Sequence, residues 1–588
     1  MVGRGLQGVA GDVSTDIFGS GGAAVATRDS VLILDTDRHA VRALLFDLVD
    51  SAPRFVGEGS SRTMSVGDAL GHDRLWEAIH ALERETGRQL SEGEQILTPQ
   101  HANGDGVDEV FLTGLPVVPN KAALISIGSG ALGKQLVRGI RQSPTIVASA
   151  EEDLGLSSTF SITTLHAWLR DLAPKTLILV HDGGVAEDWD IVVEAAADAA
   201  RDGAITNGIV IADDAKQQLV AQSLGGVLEL SGIDPVDYEP WEIASALESE
   251  FVEQYKERVQ ESDGFAAVGS VRYVDRLRSI QSVASFLHRR MHRNVVSLTI
   301  GDGALVYHVS EAGGATSFRG EQDLALGSRS LLRISPERVT RWLPQRWSAE
   351  ELTEWILNRS LRPFGRPDST TDSLVEAAVR REFVTDLVNE AGLGQNANVD
   401  LVVVGPNFIG QDLGLAVLTI IDGIAPQSAD GVVTIALDAE GLMAPIGAIS
   451  TIDPVFARDV IEQDFLVPMA TCVVVSGDGE RGALAVRGEV KVSGGESRRF
   501  SVPFGNLHLL AVDESEGAEV TLTPEPGFHV GGHQPGEVVE FTGDRTLFGG
   551  RVGIVIDARG RPINLPEDPE SRAALLRAWL TDMGSVAD

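Results

Sequence analysis

VLILDTDRHAVRALLFDLVD (31–50) and NVVSLTIGDGALVYHV (294–309) decide the fold. Each is an apolar run, a tight polar turn and a second apolar run, the pattern of a β-hairpin with buried strands. The first hairpin leads into PRFVGEGS (53–60), a third strand. GDALGHDRLWEAIHALERETG (67–87) follows, with Leu70, Leu75, Ile79 and Leu82 at helical spacing. One hairpin opening each of two halves predicts a duplicated α/β protein.

Working outward, EVFLTGLPV (109–117), AALISIG (122–128), KTLILVHDGG (175–184) and GIVIADD (208–214) read as buried strands alternating with helices such as SITTLHAWLRDLA (161–173). Residues 240–294 read as largely helical, with Val271, Val274, Leu277, Ile280 and Leu287 on an inward face. The second hairpin is followed by the helical stretch 348–392, then VDLVVVGPNFIG (399–410) and VVTIALDAEGLMAPIGAI (432–449). Beyond Phe465 the chain becomes short alternating runs broken by Gly and Pro, an antiparallel β pattern. PEDPESRAALLRAWLTDMG (566–584) then predicts a closing helix with Asp568 as N-cap, Pro569 at the first helical position and Gly584 as the stop. The expected organisation is a Gly-rich flexible tail over 1–29, a first half with an α/β insertion over 30–293, a second half over 294–464 and a β domain over 465–588.

At 588 residues the chain exceeds what one hydrophobic core supports. Its 85 acidic against 48 basic residues give a formal charge of −37, which repels phosphodiester backbones and anionic lipid, so nucleic acid and membrane surfaces are not expected partners. Cys472 is the single cysteine, which excludes an internal disulfide and fits a reducing cytoplasm. No run approaches the roughly 18 to 20 apolar residues of a membrane span.

Two strand-turn-strand hairpins with Asp or Gly in the turn resemble the phosphate loops of the actin, sugar kinase and heat-shock-70 superfamily, with its RNase H-like fold. VTIALDAEGLMAPIGAI (433–449), VPFGNLHLLAV (502–512), PGFHVGG (526–532) and above all DARGRP (557–562) are similar to the C-terminal part of the glutamate mutase L family. FVGEG, LILVHDGG and GEQDLALGSR add weaker similarity, so the resemblance spans roughly residues 30 to 583. It implies an actin-like nucleotide-binding fold and a chaperone role toward an adenosylcobalamin-dependent mutase as protein partner; the cofactor expected is none, with ATP and Mg²⁺ as the alternative.

The loops depart from that pattern. In the superfamily's first loop Gly lets backbone amides approach phosphate and Asp orders the metal. Here Asp35 stands at the leading position, but Asp37 replaces glycine and Arg42 falls where Lys is usual. In the second loop Gly301, Asp302 and Gly303 remain, while Thr299 replaces the leading carboxylate and Leu305 and Val306 end the loop. The third, nucleoside loop keeps Gly405 but continues with Pro406, which lacks an amide donor, and Phe408, which adds bulk. Asp35, Asp37, Gly301, Asp302, Gly303 and Gly405 are thus read as vestigial nucleotide loops with no catalytic residue. Asp35, Asp37 and Asp302 offer oxygen to a divalent cation, although two acidic turns facing solvent is the plainer reading.

His529 and His533 in HVGGH fall in a glycine loop, not on the helix that zinc ligation at this spacing needs. LHRRMHR (287–293) reads as the basic last turn of a helix. Asp182, Gly183 and Gly184 end a strand, a common ligand position. GSGALG (128–133) lacks the acidic partner of a dinucleotide fingerprint. The sequence therefore predicts a noncatalytic or weakly nucleotide-binding accessory protein. The alternatives are an active ATP-dependent reactivating chaperone and a filament-forming actin relative.

Overall fold

The computed structural model describes residues 29–36, 40–62, 72–128, 130–154, 161–183, 186–201, 203, 205–262, 271–301, 303–310, 314–320, 334–360, 367–393, 398–408, 412–492, 495–514 and 516–585. The 1–28 stretch and all of GEQDLALGSR after Gly320 lie outside them. The chain divides into two compact units, Met1–Arg276 and Leu277–Asp588.

In the first unit, β1 (Ser30–Thr36) is buried along its whole length and pairs antiparallel with β2 (Ala40–Val49), which pairs antiparallel with β3 (Ala52–Arg62). On its other side β1 runs parallel to β4 (Glu109–Gly114). Helix α1 (His72–Thr86) lays Leu75, Ile79 and Leu82 on this sheet. Gly59 of β3 allows the contact, because a Cβ there would lie 2.2 Å from the Leu82 amide nitrogen.

Between β4 and the sheet's last strand the chain builds a second sheet from β5 (Lys121–Gly128), β6 (Ile146–Ser149), β7 (Thr176–Asp182), β8 (Asn207–Ile211) and β9 (Glu229–Ile233). All neighbours are parallel, in the order β6-β5-β7-β8-β9. Parallel strands buried on both faces need near-continuous apolar runs, which is why AALISIG and TLILV show no alternation. Helices α2 (Ala131–Ile140) and α6 (Pro240–Gln260) cover one face, with Leu136, Ile140, Leu247 and Phe251 in its core. Helices α3 (Ile162–Leu172), α4 (Ala186–Arg201) and α5 (Asp214–Leu224) supply Leu169, Trp189, Val193 and Leu224 to the other. This is a complete doubly wound layer.

The chain then returns to the first sheet with β10 (Arg272–Val274), parallel to β4. Sequence periodicity assigned Val271 and Val274 to a helix; three extended residues are too short a run to show a period of two. Helix α7 begins only at Arg276 and ends at Met291, so of that predicted inward face Leu277, Ile280 and Leu287 are the residues it buries.

The second unit repeats the plan. Strand β11 (Val295–Gly301) pairs antiparallel with β12 (Gly303–Ser310), which pairs with β13 (Gly314–Gly320). On its other side β11 runs parallel to β14 (Leu401–Val404), and β14 to β15 (Val432–Asp438). Numbered within each half, both sheets have the order 3-2-1-4-5 with only the second strand reversed. That duplicated order is the actin-like, RNase H-like fold.

Strand β16 (Leu466–Gly477) joins this sheet antiparallel to β15 and parallel to β22 (Gly553–Asp557), with β19 (Leu507–Leu510) at the edge. Strands β17 (Leu484–Val492), β18 (Arg498–Pro503), β20 (Gly517–Pro524) and β21 (Val539–Phe541) form a separate antiparallel sheet. Two helices of the second half matter below: α8 (Thr370–Glu390) and α9 (Leu413–Ile424), the latter apolar on nearly every face and buried accordingly. Helix α10 (Pro569–Asp582) closes the chain as its sequence signals predict, the Asp568 carboxylate accepting the Ser571 N–H at 2.8 Å and Gly584 standing at φ +72°.

Helix α7 and Met443–Ser450 approach so closely that a Cβ on Gly447 would lie 2.1 Å from the Ser279 carbonyl oxygen, beside a Ser282–Ser450 hydroxyl contact of 3.0 Å. Gly447→Ala must part the two backbones, and urea denaturation should show a loss of ~1–3 kcal/mol. An unchanged midpoint would contradict this packing.

Candidate functional site

Asp35 lies on β1 near its carboxyl end, 5% exposed, so it is not part of a solvent-facing acidic turn. Its cross-strand partner is Arg42. The Arg42 guanidinium lies 3.5 Å from Asp35 Oδ2 and 2.6 Å from Glu58 Oε2 of β3. Arg276, at the start of α7, donates through Nη2 to Asp35 Oδ1 and at 3.3 Å to the Thr36 carbonyl. Each carboxylate oxygen thus faces a guanidinium. A divalent cation at Asp35 would have to displace one arginine and sit beside the other, in a site whose carboxylate charge the arginines already neutralise. Asp37 lies outside the described residues.

In the second unit Gly301 and Gly303 are the last register pair of β11 and β12, and Asp302 between them lies outside the described residues. Gly405 follows β14, donates its N–H to the Leu298 carbonyl at 3.0 Å, and would place a Cβ 3.3 Å from Thr299 Cγ2. The structure therefore brings Gly301, Gly303 and Gly405 to the carboxyl ends of the neighbouring strands β11 and β14, with Thr299 where a carboxylate was expected. Pro406 is exposed and starts a single 3₁₀ turn. Phe408 does not fill the loop. It is 2% exposed and belongs to the core of the second unit, because an aromatic ring gains more from burial than from a wet loop.

DARGRP marks an ionic cluster that sequence reading treated only as a family signature. Arg559 is fully buried and donates to Asp557 Oδ1 at 2.9 Å and to Asp422 Oδ1 of α9 at 2.6 Å. Arg561 reaches Asp557 Oδ2 at 2.5 Å, and Arg381 of α8 lies 3.1 Å from Asp422 Oδ2. Trp579 lies beneath Arg559 and Trp342 beneath Arg381, with guanidinium-to-ring distances of 4.8 and 4.4 Å. Burial by itself would raise the Asp557 carboxyl pKa, but Arg559 and Arg561 outweigh it and hold the group far below the usual carboxylate range. The two aspartates are closed in by arginines, an arrangement that braces the fold. The signal available in sequence was Asp422, the lone charge in LGLAVLTIIDGI.

The remaining motifs keep structural roles. His529 Nδ1 contacts its own loop at the Gly531 carbonyl, 2.7 Å away, and His533 contacts Glu537 at 3.2 Å. Among the described residues no group of three or more His, Cys, Asp or Glu is placed to hold a metal ion, and no helix is long and apolar enough to cross a membrane. LHRRMHR ends α7, with Arg290 paired to Glu462 at 3.2 Å.

No protein-family model and no curated protein matches this chain. Among solved structures it is similar to a Ppx/GppA family member of Aquifex aeolicus (9% identity, 72% of this chain and 79% of that one, TM-score 0.20). It is similar also to a ROK hexokinase of Thermus thermophilus (12%, 71% and 96%, TM-score 0.24) and to a diol dehydratase-reactivating factor in nucleotide-free form (11%, 74% and 99%, TM-score 0.25). Scores this low add nothing to the fold that the strand order establishes.

Asp557→Asn takes one of two carboxylates from buried Arg559 and the carboxylate partner from Arg561, and denaturant unfolding of the second unit should show a loss of about 3–5 kcal/mol. Because the folded pKa of Asp557 is depressed, its stabilisation is complete above the unfolded carboxyl value near 4 and declines as pH falls below it. Wild-type stability should therefore drop more between about pH 4 and pH 2 than that of the Asn variant. Parallel pH profiles would show that the carboxylate is not held by these arginines.

Proposed function

We propose that this chain is a noncatalytic accessory protein that keeps an actin-like fold for binding another protein. The observation that carries the reading is the double arginine contact of Asp35. The leading carboxylate that would order Mg²⁺ is committed to bracing β1, β2 and the start of α7, and Thr299 offers no substitute in the second half. The resemblance to the glutamate mutase L family supports an adenosylcobalamin-dependent mutase as the partner, and the net charge of −37 supports a contact through an acidic surface. ATP with Mg²⁺ is then at most a bound ligand that is not hydrolysed, with Gly301, Gly303 and Gly405 as its remaining glycine positions.

Phosphate release from ATP and Mg²⁺ should not exceed the blank; steady turnover would replace this reading with an active reactivating chaperone. Affinity purification from the native cell should recover a mutase, and recovery of unrelated enzymes alone would defeat the partner assignment. Light scattering should stay monodisperse with rising concentration, whereas growth of polymers would favour a filament-forming relative.

A further inference from the structure

A cavity of about 760 Å³ opens within the second unit, on one face of its sheet. It starts at Leu401 and Val432, the first residues of β14 and β15, and runs along the strands to Leu466 of β16. Gly301, Gly303 and Gly405 stand at the carboxyl ends of β11 and β14 and are not among its lining residues. The site is therefore separate from the nucleotide loops, and it does not depend on the partner proposed above.

The hollow has a physical origin. Protein interiors are packed to near crystal density, so a sheet face stays open only where small side chains stand on it and nothing reaches in. Here Thr434, Ala436, Ala470 and Thr471 form the floor. Phe286 and Leu287 of α7, with Phe465 and Leu547, supply apolar walls. Met291 and Phe548 line it as well, 48% and 56% exposed. Large apolar side chains left in water around a concave apolar surface mark a binding site.

The floor also holds a cation in place. Thr434 and Thr471 face each other in register across β15 and β16. Thr434 Oγ1 accepts from Arg293 Nη1 at 2.8 Å, and Thr471 Oγ1 donates to the Phe548 carbonyl at 2.6 Å. One pair of hydroxyls thus fixes both a guanidinium and the backbone of an aromatic residue on the same cavity. His292, at φ +52°, turns the chain after α7, and His288 Nδ1 contacts the Arg293 carbonyl at 2.6 Å. LHRRMHR, read from sequence as a basic helix end, therefore also supplies Arg290, Met291 and Arg293 to this lining.

Charge selects the ligand. Arg290 is paired with Glu462 at 3.2 Å. Arg293 meets only a neutral hydroxyl and forms no ion pair among the described residues, so its charge is uncompensated. One such planar fork beside an apolar hollow matches a carboxylate carried on an apolar body. A phosphate dianion would bring its second charge toward Glu462, and a sugar or nucleoside would bury hydroxyls against Phe286, Leu287 and Leu547 without partners. We infer that this cavity binds a small apolar monocarboxylate, its carboxylate on Arg293 and its hydrocarbon body over Ala436 and Ala470.

Isothermal titration of the full chain with decanoate, decanol, acetate and decyl phosphate, each kept below its aggregation limit, tests this. Decanoate should bind saturably, roughly tenfold more tightly than decanol, which lacks the charge, and far more tightly than acetate, which lacks the body. Decyl phosphate should bind more weakly than decanoate. Arg293→Gln should weaken decanoate roughly tenfold and leave decanol unchanged, whereas Phe548→Ala should weaken decanoate and decanol alike. Arg293 and Phe548 are exposed, so these variants should keep the fold, which circular dichroism checks. No saturable binding of decanoate, equal affinity for decanol, tighter binding of decyl phosphate, or decanoate affinity unchanged in Arg293→Gln would each overturn the assignment.

Discussion

The Arg559 guanidinium, fully buried between Asp557 and Asp422, is the constraint on which the second unit depends. An unpaired charge in that position would cost several kcal/mol even after relaxation, so the core closes only when the strand carrying DARGRP and the helix carrying Asp422 are both in place. Arg381 extends the same network to α8, and Trp579 of the closing helix packs on the guanidinium while its indole donates to the Gly505 carbonyl at 2.9 Å. Segments from residue 381 to residue 579 are thereby held to one buried cluster. The strands after residue 465 extend the sheet of the second half because their own aspartate belongs to that half's core.

Asp35 in the first unit follows the same rule on a smaller scale. Arginine suits both places, since its planar fork reaches two oxygens at once and its charge persists when buried. Arg42 and Arg276 balance Asp35 and Glu58, so the formal charge of −37 falls on the rest of the chain.

The first unit joins two sheet designs with different consequences. In the 3-2-1-4-5 sheet the carboxyl end of β1 is closed by ion pairs. In the doubly wound sheet the corresponding end of β5 leads to the buried Gly130, with the Glu151 carboxylate against it and Asp182 accepting the Leu132 N–H at 3.4 Å.

The parts of this protein legible in sequence are those fixed within a few residues of themselves. The paired apolar runs around 31–50 and 294–309 announced two hairpins, and Asp568, Pro569 and Gly584 bounded α10, because turn and cap chemistry is local. What sequence could not decide was which distant groups meet. Arg276 comes to Asp35 from 241 residues away, Asp422 to Arg559 from 137, and Glu151 reaches Gly130 only because β6 lies beside β5. Phe408, read as an obstruction in a loop, is core, and Arg272–Val274, read as helix, completes a sheet. Sequence by itself determined the local elements and their duplication; the tertiary structure decided partners, because pairing energy is settled by burial and proximity that no linear spacing encodes.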